Sequence, residues 1–326
     1  MKFVVVGLGS MGRRRIRLLK QISNDFIIVG VDNDLERCHQ VEKEFGVTTS
    51  QNLDLELNRF KPDGVIVSTS PLSHAEIINK ALKASCHVFT ELNLVDSMYD
   101  ENIDLSKRQD KILFMSSTLL YRDELCYIRE QISDSKRNVN YNYHVGQYLP
   151  DWHPWENIND YFVGDKLTNG CRELFSIELP WLIKTFGEIE SYDILSDKNT
   201  DLPVQYNDNY MLLIKHKGGN KGVVAIDVVS RKPVRNLEVY NEDIYISWAG
   251  SPSELKKYNV QNKEEETISL YDEIDQQEGY ASFVIENAYK KELEAFVDTI
   301  NGKGCPRYTF EEDKKVLSII NDIESR

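Results

Sequence analysis

Gly7-Leu8-Gly9-Ser10-Met11-Gly12 carries the densest chemical signal in the chain. It follows an apolar strand, Phe3 to Val6, and opens a helical pattern from Met11 to Ile22. In that setting each glycine has a task. Gly7 permits the tight turn, Gly9 lets a pyrophosphate approach the backbone, and Gly12 lets helix and strand pack closely, with the helix N-terminus facing the anion. Ser10 and Met11 complete the turn. The second strand, Phe26 to Val31, ends at Asp32, about twenty residues after Gly12. A carboxylate there accepts both ribose hydroxyls of an adenosine. It also repels a 2′-phosphate about 4 Å away by ~4 kcal/mol at an effective dielectric of 20. These residues predict a dinucleotide cofactor, NAD in preference to NADP. Arg13, Arg14 and Arg15 soften that repulsion if one reaches the adenosine; their expected place is a solvated helix face.

Other polar residues are candidates for proton transfer. Glu91 follows the short strand His87 to Phe89, at the C-terminal end where open α/β sheets place their chemistry. Its expected role is to accept a hydrogen bond from the nicotinamide ribose, with proton transfer as the alternative. Glu173 and Glu178 lie five positions apart on a predicted helix, so they point in different directions and only one can face a cleft; Glu178 is carried forward as a candidate. His153 lies among Trp152, Pro154 and Trp155, a loop suited to closing over a sugar ring. Its ordinary pKa suits a proton shuttle; the alternative is a structural loop anchored by its tryptophans. Lys166 is the nearby lysine able to polarise an oxygen. Tyr121, Arg122, His144 and Asp151 are further polar candidates. No HExxH, EF-hand or Cys/His cluster occurs, so no metal is expected.

The elements that must position these residues divide into two groups. Up to about residue 115 short apolar strands alternate with helices, which makes parallel βαβ units in a sheet covered on both faces. After Arg122 the rhythm changes. A helix, Asp123 to Ile132, precedes a polar-aromatic strand, Asn138 to Tyr148, and a helix from Cys171 to Phe186. The strands Tyr210 to His216, Gly222 to Val229, Leu237 to Tyr240 and Ile244 to Trp248 follow without intervening helices, so a largely antiparallel sheet is expected. Helices Ile285 to Ile300 and Phe310 to Ile323 close the chain, and Lys263 to Glu266 reads as a solvated turn. The expected fold is α/β: a Rossmann doubly wound parallel sheet over residues 1–121, then an α/β domain with an open sheet over 122–326 whose last helices pack back on the first domain.

Composition sets the outer bounds. The chain has 326 residues, 39 Lys+Arg and 53 Asp+Glu, for a net charge of −14. An acidic chain without a basic stripe repels a phosphate backbone, so nucleic acid is not an expected partner. No apolar run approaches the ~20 residues needed to cross a bilayer. The five cysteines are scattered and odd in number, which points to a reducing cytoplasm and not to a disulfide framework.

With these residues in place the chain resembles the Gfo/Idh/MocA family, the glucose–fructose oxidoreductase and inositol dehydrogenase type, over nearly its whole length. Ser68-Thr69-Ser70-Pro71-Leu72-Ser73-His74 resembles the family's T-P-x-x-x-H segment, which the resemblance places along the cofactor through Ser68, Thr69, Ser70 and His74. His87-Val88-Phe89-Thr90-Glu91 is similar to H-V-x-x-E. Tyr148 to Glu156 resembles a branch found in surface-polysaccharide and nucleotide-sugar pathways, and Leu293 to Ile323 resembles the closing helices. The resemblance implies an NAD-dependent oxidoreductase of a sugar or nucleotide-sugar derivative and a homo-oligomer through the second-domain sheet. Two departures stand out. The family's E-K-P lysine and proline are Leu92 and Asn93 here, and Ile177, Leu174 and Pro180 replace the histidine and two aspartates of D-x-S-H-E-I-D. A positioned acid/base group contributes about 10²–10⁴-fold. Either other residues have taken over, or the protein binds NAD(H) without turnover as a regulatory or scaffold protein, or it is a redox-neutral epimerase, lyase or hydrolase that retains NAD.

Overall fold

The computed structural model of the chain describes residues 1–152, 157–158, 162–277 and 283–326. Its contacts divide it into two compact units, Met1–Thr118 with Tyr289–Leu317, and Leu119–Ala288 with Ser318–Arg326.

In the first unit the strands β1 (Lys2–Val6), β2 (Ile27–Val31), β3 (Thr48–Ser50), β4 (Gly64–Val67), β5 (His87–Thr90) and β6 (Leu113–Met115) form one sheet in the order β3-β2-β1-β4-β5-β6. Every pairing in it is parallel. The helices α1 (Ser10–Ile22), α2 (Leu35–Phe45), α3 (Leu53–Phe60), α4 (His74–Lys83) and α5 (Tyr99–Gln109) are the crossovers. Sequence alone expects neither β3 nor α3: β3 has three residues and no apolar one, so it carries no strand signal. Central strands are apolar throughout because both faces are covered; Val4, Val5, Val65, Ile66 and Val67 have no exposed surface. Phe296 of α8 (Glu286–Ile300) packs edge-on against Phe89 and Phe114, which stack on each other at 5.4 Å.

The second unit holds α6 (Asp123–Asp134), β7 (Asn140–Gly146), α7 (Gly170–Phe186), β8 (Ile189–Asp197), β9 (Asn209–His216), β10 (Lys221–Asp227), β11 (Val234–Tyr240), β12 (Tyr245–Trp248), β13 (Leu255–Asn259) and β14 (Glu264–Thr267). The strands form one sheet in the order β14-β13-β12-β11-β7-β10-β9-β8. It is antiparallel except where β7 runs parallel to β10. Alternate residues of β9 are buried and exposed, as one covered face requires. Helix α7 lies on that face and buries Phe175, Trp181 and Phe186. The last helix, α9 (Phe310–Ser325), begins in the first unit and ends in the second.

Two expectations are corrected here. Glu264 to Thr267 is the outermost strand of the second sheet and not a turn; exposed charges fit an edge strand, which they protect from pairing further. The arginine run is not a solvated helix face either. Arg13 is partly exposed and pairs with Glu44, but Arg14 is buried and Arg15 has no exposed surface. Successive helical positions are about 100° apart, so a run of three must turn from solvent toward the sheet.

Candidate dinucleotide site and the polar residues of the second unit

Helix α1 starts directly after the glycine turn. Gly7 has φ +88°, and a Cβ there would lie 2.6 Å from the Ser68 carbonyl oxygen. A Cβ on Gly12 would lie 1.8 Å from the Gly7 carbonyl oxygen. Backbone therefore meets backbone at both positions, and only glycine fits. Gly9 differs: its Cβ position meets nothing within 4 Å. The space in front of α1 is open, its N-cap is Gly9, no side chain caps it, and no acid occupies its first turn, which Ser10 and Met11 begin. An uncapped helix N-terminus facing open space favours an anion. The Ser68 hydroxyl, just past β4, is buried without a hydrogen-bond partner, so a polar ligand there would satisfy it. An open cradle at Gly9 and an orphaned hydroxyl beside the turn fit a dinucleotide.

Asp32 holds the turn from the next strand. One carboxylate oxygen accepts from Leu8 N–H at 2.7 Å, the other from Asp34 N–H at 2.9 Å. Each oxygen retains another lone pair for a ribose hydroxyl. Arg37, half exposed on α2, brings a guanidinium nitrogen to 3.9 Å from it.

The other cofactor candidates are more enclosed. Ser70 caps a short 3₁₀ turn, Pro71–Ser73, and the Thr69 and Ser73 hydroxyls bond at 2.8 Å. His74 is buried with Nδ1 2.6 Å from the Asn93 side-chain oxygen and Nε2 2.9 Å from the Thr69 carbonyl. Burial lowers its pKa, and bonds to Asn93 and Thr69 recover only part of that. Both ring nitrogens face oxygens, and a neutral ring carries one N–H, so His74 donates to one of the two. Both nitrogens are thus used within the protein, and His74 shapes the Ser68–His74 loop. Asn93 carries no sequence signal for this role, because its bond to His74 forms only across the β4 and β5 ends.

Glu91 is bound in a buried ion cluster. Arg15 donates to it from Nε at 2.6 Å and from a terminal nitrogen at 2.9 Å, and also donates to Glu292 at 3.0 Å. Glu292 accepts further from Ser116 and Thr118 hydroxyls and from Ser117 N–H. Burial raises the Glu292 pKa, and Arg15 opposes it. Arg15 grips both oxygens of Glu91, which suits Glu91 to the part of a fixed hydrogen-bond acceptor.

In the second unit Glu178 is also enclosed. Fully buried on α7, it accepts from the Tyr143 hydroxyl at 2.7 Å, the Trp181 indole at 2.6 Å and Arg235 at 2.7 Å. It is a core anchor joining α7 to β7 and β11. Glu178→Gln leaves the Arg235 charge uncompensated, and we expect about 3 kcal/mol lower unfolding free energy in urea melts read by tryptophan fluorescence. Lys166 is exposed on a 3₁₀ turn, Lys166–Thr168. His153 lies outside the described residues. Arg122 forks onto Glu124 and also bonds the Gly250 and Phe283 carbonyls, so it is structural. His144 pairs with Asp227 at 2.7 Å on the sheet's exposed face, in a groove of about 840 Å³. Burial would raise the Asp227 pKa, but bonds from His144, Ser230 and backbone N–H groups outweigh it and lower it. Among the described residues no group of three or more His, Cys, Asp or Glu could hold a metal ion.

Comparisons with known proteins bear on this arrangement. Residues 1–116 match the family GFO_IDH_MocA, an oxidoreductase family with an NAD-binding Rossmann fold. Myo-inositol 2-dehydrogenase of Thermotoga maritima is 24% identical over 331 residues, covering 97% of this chain and 93% of the relative. Among solved structures, UDP-N-acetylglucosamine 3-dehydrogenase GnnA of Acidithiobacillus ferrooxidans superposes with TM-score 0.75 at 16% identity, covering 100% of this chain and 97% of that one. The WlbA dehydrogenase of Bordetella pertussis, in complex with NADH and UDP-GlcNAcA, gives TM-score 0.77 at 14% identity and coverage of 99% and 95%.

Proposed function

We propose that this chain, whose residues 1–116 match the Gfo/Idh/MocA oxidoreductase family, is an NAD-dependent oxidoreductase of a CH–OH group on a sugar or nucleotide-sugar derivative. The observation that carries the reading is the glycine turn: open at Gly9, uncapped at α1, with the orphaned Ser68 hydroxyl beside it and Asp32 holding it from β2. NAD, when bound, supplies a two-electron hydride acceptor or donor. The chain's own residues bind and orient. The N-terminus of α1 faces the diphosphate, Asp32 takes the adenosine ribose and disfavours a 2′-phosphate, and Ser68 with the loop fixed by His74 lines the cofactor. Arg15 holds both oxygens of Glu91 in place. The substrate class is supported by the relatives: one is named for UDP-N-acetylglucosamine, one is in complex with UDP-GlcNAcA, and one is named for myo-inositol.

Leu92, Ile177 and the enclosed Glu178 favour a second reading, an NAD(H) binder without turnover. The two readings, and a redox-neutral enzyme with retained NAD, separate in one assay. With UDP-N-acetylglucosamine or myo-inositol as probe, the oxidoreductase raises reduced-nicotinamide absorbance in proportion to substrate consumed. A redox-neutral enzyme yields product with no net change, and a binder yields neither. Tighter binding of NADP than NAD would remove the argument from Asp32.

The open sheet supports a homo-oligomer. Leu195, Met211, Leu213 and Val223 are exposed on one face, with Leu195 opposite Met211 and Leu213 opposite Val223 in register. A second copy covering this patch would bury apolar area that monomers rarely leave exposed. No described helix is long and apolar enough to cross a membrane, and a cytoplasmic place fits the scattered free cysteines.

A further inference from the structure

Two opposite charges meet where β2 ends. Asp32 is buried and keeps a lone pair on each oxygen after its bonds to Leu8 and Asp34 N–H. Arg37 lies beside the same carboxylate. A terminal guanidinium nitrogen is 3.9 Å from the oxygen that Leu8 N–H binds, and its Nε is 3.6 Å from Asp34. Neither contact is short enough for a hydrogen bond, so the guanidinium fork keeps its donors open to a ligand. The side chain is half exposed, within reach of a molecule from solvent. Its place in α2 points to a task outside the helix. Arg37 is the third residue of α2, after the cap Asp34. A cation there opposes the helix dipole, and a glutamate would close a capping box.

We propose that Arg37 sets cofactor specificity by opposing Asp32 at the ribose 2′ position, so that the subsite takes NADP as well as NAD, with a modest preference for NAD. The proposal rests on the dinucleotide reading of the glycine turn and adds a second, opposite charge to it. Asp32 accepts from the 2′-hydroxyl of NAD and repels the 2′-phosphate of NADP. The planar fork of Arg37 matches the oxygens of a phosphate and gives it charge-assisted hydrogen bonds. A neutral hydroxyl gains far less from the same cation. Arg37 therefore acts mainly on the phosphorylated cofactor.

The sequence suggests Arg13, Arg14 or Arg15 as the cation that softens the repulsion, and the structure engages all three elsewhere. Arg13 pairs with Glu44, Arg14 lies over the Tyr289 ring, and Arg15 is held by Glu91 and Glu292. Arg37 stands in their stead beside Asp32. Its effect is partial, because Asp34 draws on the same guanidinium while its other oxygen caps α2 through Glu36 and Arg37 N–H. Charges this exposed are weakened by water and screened by salt. Asp32 is the more buried of the two, so NAD keeps the advantage.

The test titrates the full-length protein with NADH, NADPH and 2′,5′-ADP by calorimetry, as wild type, Arg37→Ala, Arg37→Lys and Asp34→Asn. The wild type should bind NADPH about tenfold more weakly than NADH. Arg37→Ala should weaken NADPH and 2′,5′-ADP by about a further tenfold and NADH by less than about threefold, with no loss of melting temperature. Arg37→Lys keeps the charge without the fork and should recover part of the NADPH affinity. Asp34→Asn keeps the helix cap and releases Arg37 from its second carboxylate, so NADPH should bind more tightly. The Arg37→Ala effect on NADPH should shrink between about 50 and 500 mM salt. Equal weakening of NADH and NADPH by Arg37→Ala, as packing on the adenine would give, overturns the proposal. So does an unchanged NADPH affinity, or a wild type that takes up NADH alone; each leaves the dinucleotide reading intact. A wild type that takes up neither NADH nor NADPH overturns both.

Discussion

Arg15→Met lowers the unfolding free energy of the first unit by about 3–5 kcal/mol. The guanidinium is wholly buried between Glu91 and Glu292, and lies 4.5 Å over the Phe89 ring. Methionine fills most of the space but leaves two carboxylates near each other without a cation. Urea titration read by circular dichroism measures the loss. Tryptophan fluorescence is the wrong probe here, since all four tryptophans fall between residues 152 and 248. The pH dependence has a definite sign. The folded Glu292 pKa is already raised, so its protonated form is favoured by folding, and that contribution is present at low pH and lost as pH rises through the folded pKa. Removing Arg15 raises it further, so the gap between variant and parent should be widest at neutral pH and narrow on acidification. Adding Glu292→Gln to Arg15→Met should recover part of the loss. An equal gap at all pH values would show that packing and not charge is what Arg15 contributes.

Gly12→Ala should abolish NAD binding, with at least a ~100-fold loss of affinity, or about 3 kcal/mol. Its Cβ would sit 1.8 Å from a backbone oxygen of the turn, so no side chain can step aside and the turn itself must open. The informative partner is Gly9→Ala. That Cβ meets nothing, so the fold should keep its stability within about 0.5 kcal/mol. If the open space takes the diphosphate, the same methyl should still cost at least tenfold in affinity, since it occupies the ligand's place. Calorimetric titration with NADH and a thermal melt of each variant decide the matter. Gly9→Ala binding as tightly as the parent would show that the diphosphate does not lie there.

The division between what was legible early and what was not follows from the range of the interactions involved. Alternating apolar strands and helices, the glycine turn and Asp32 are local patterns. A tight turn needs glycine whatever surrounds it, and a strand covered on both faces needs apolar residues throughout. From these the sequence by itself determined a doubly wound parallel sheet followed by a largely antiparallel one. The states of single polar side chains are set by partners far along the chain, 76 and 277 positions away for Arg15, and only the tertiary structure decided them. It drew Arg15 inward to hold Glu91. It gave Glu178 three donors from three elements and left Glu173, five positions earlier on the same helix, with an oxygen that nothing answers. Two carboxylates of one predicted helix were separated by burial and donor geometry, and neither quantity exists before the chain has folded.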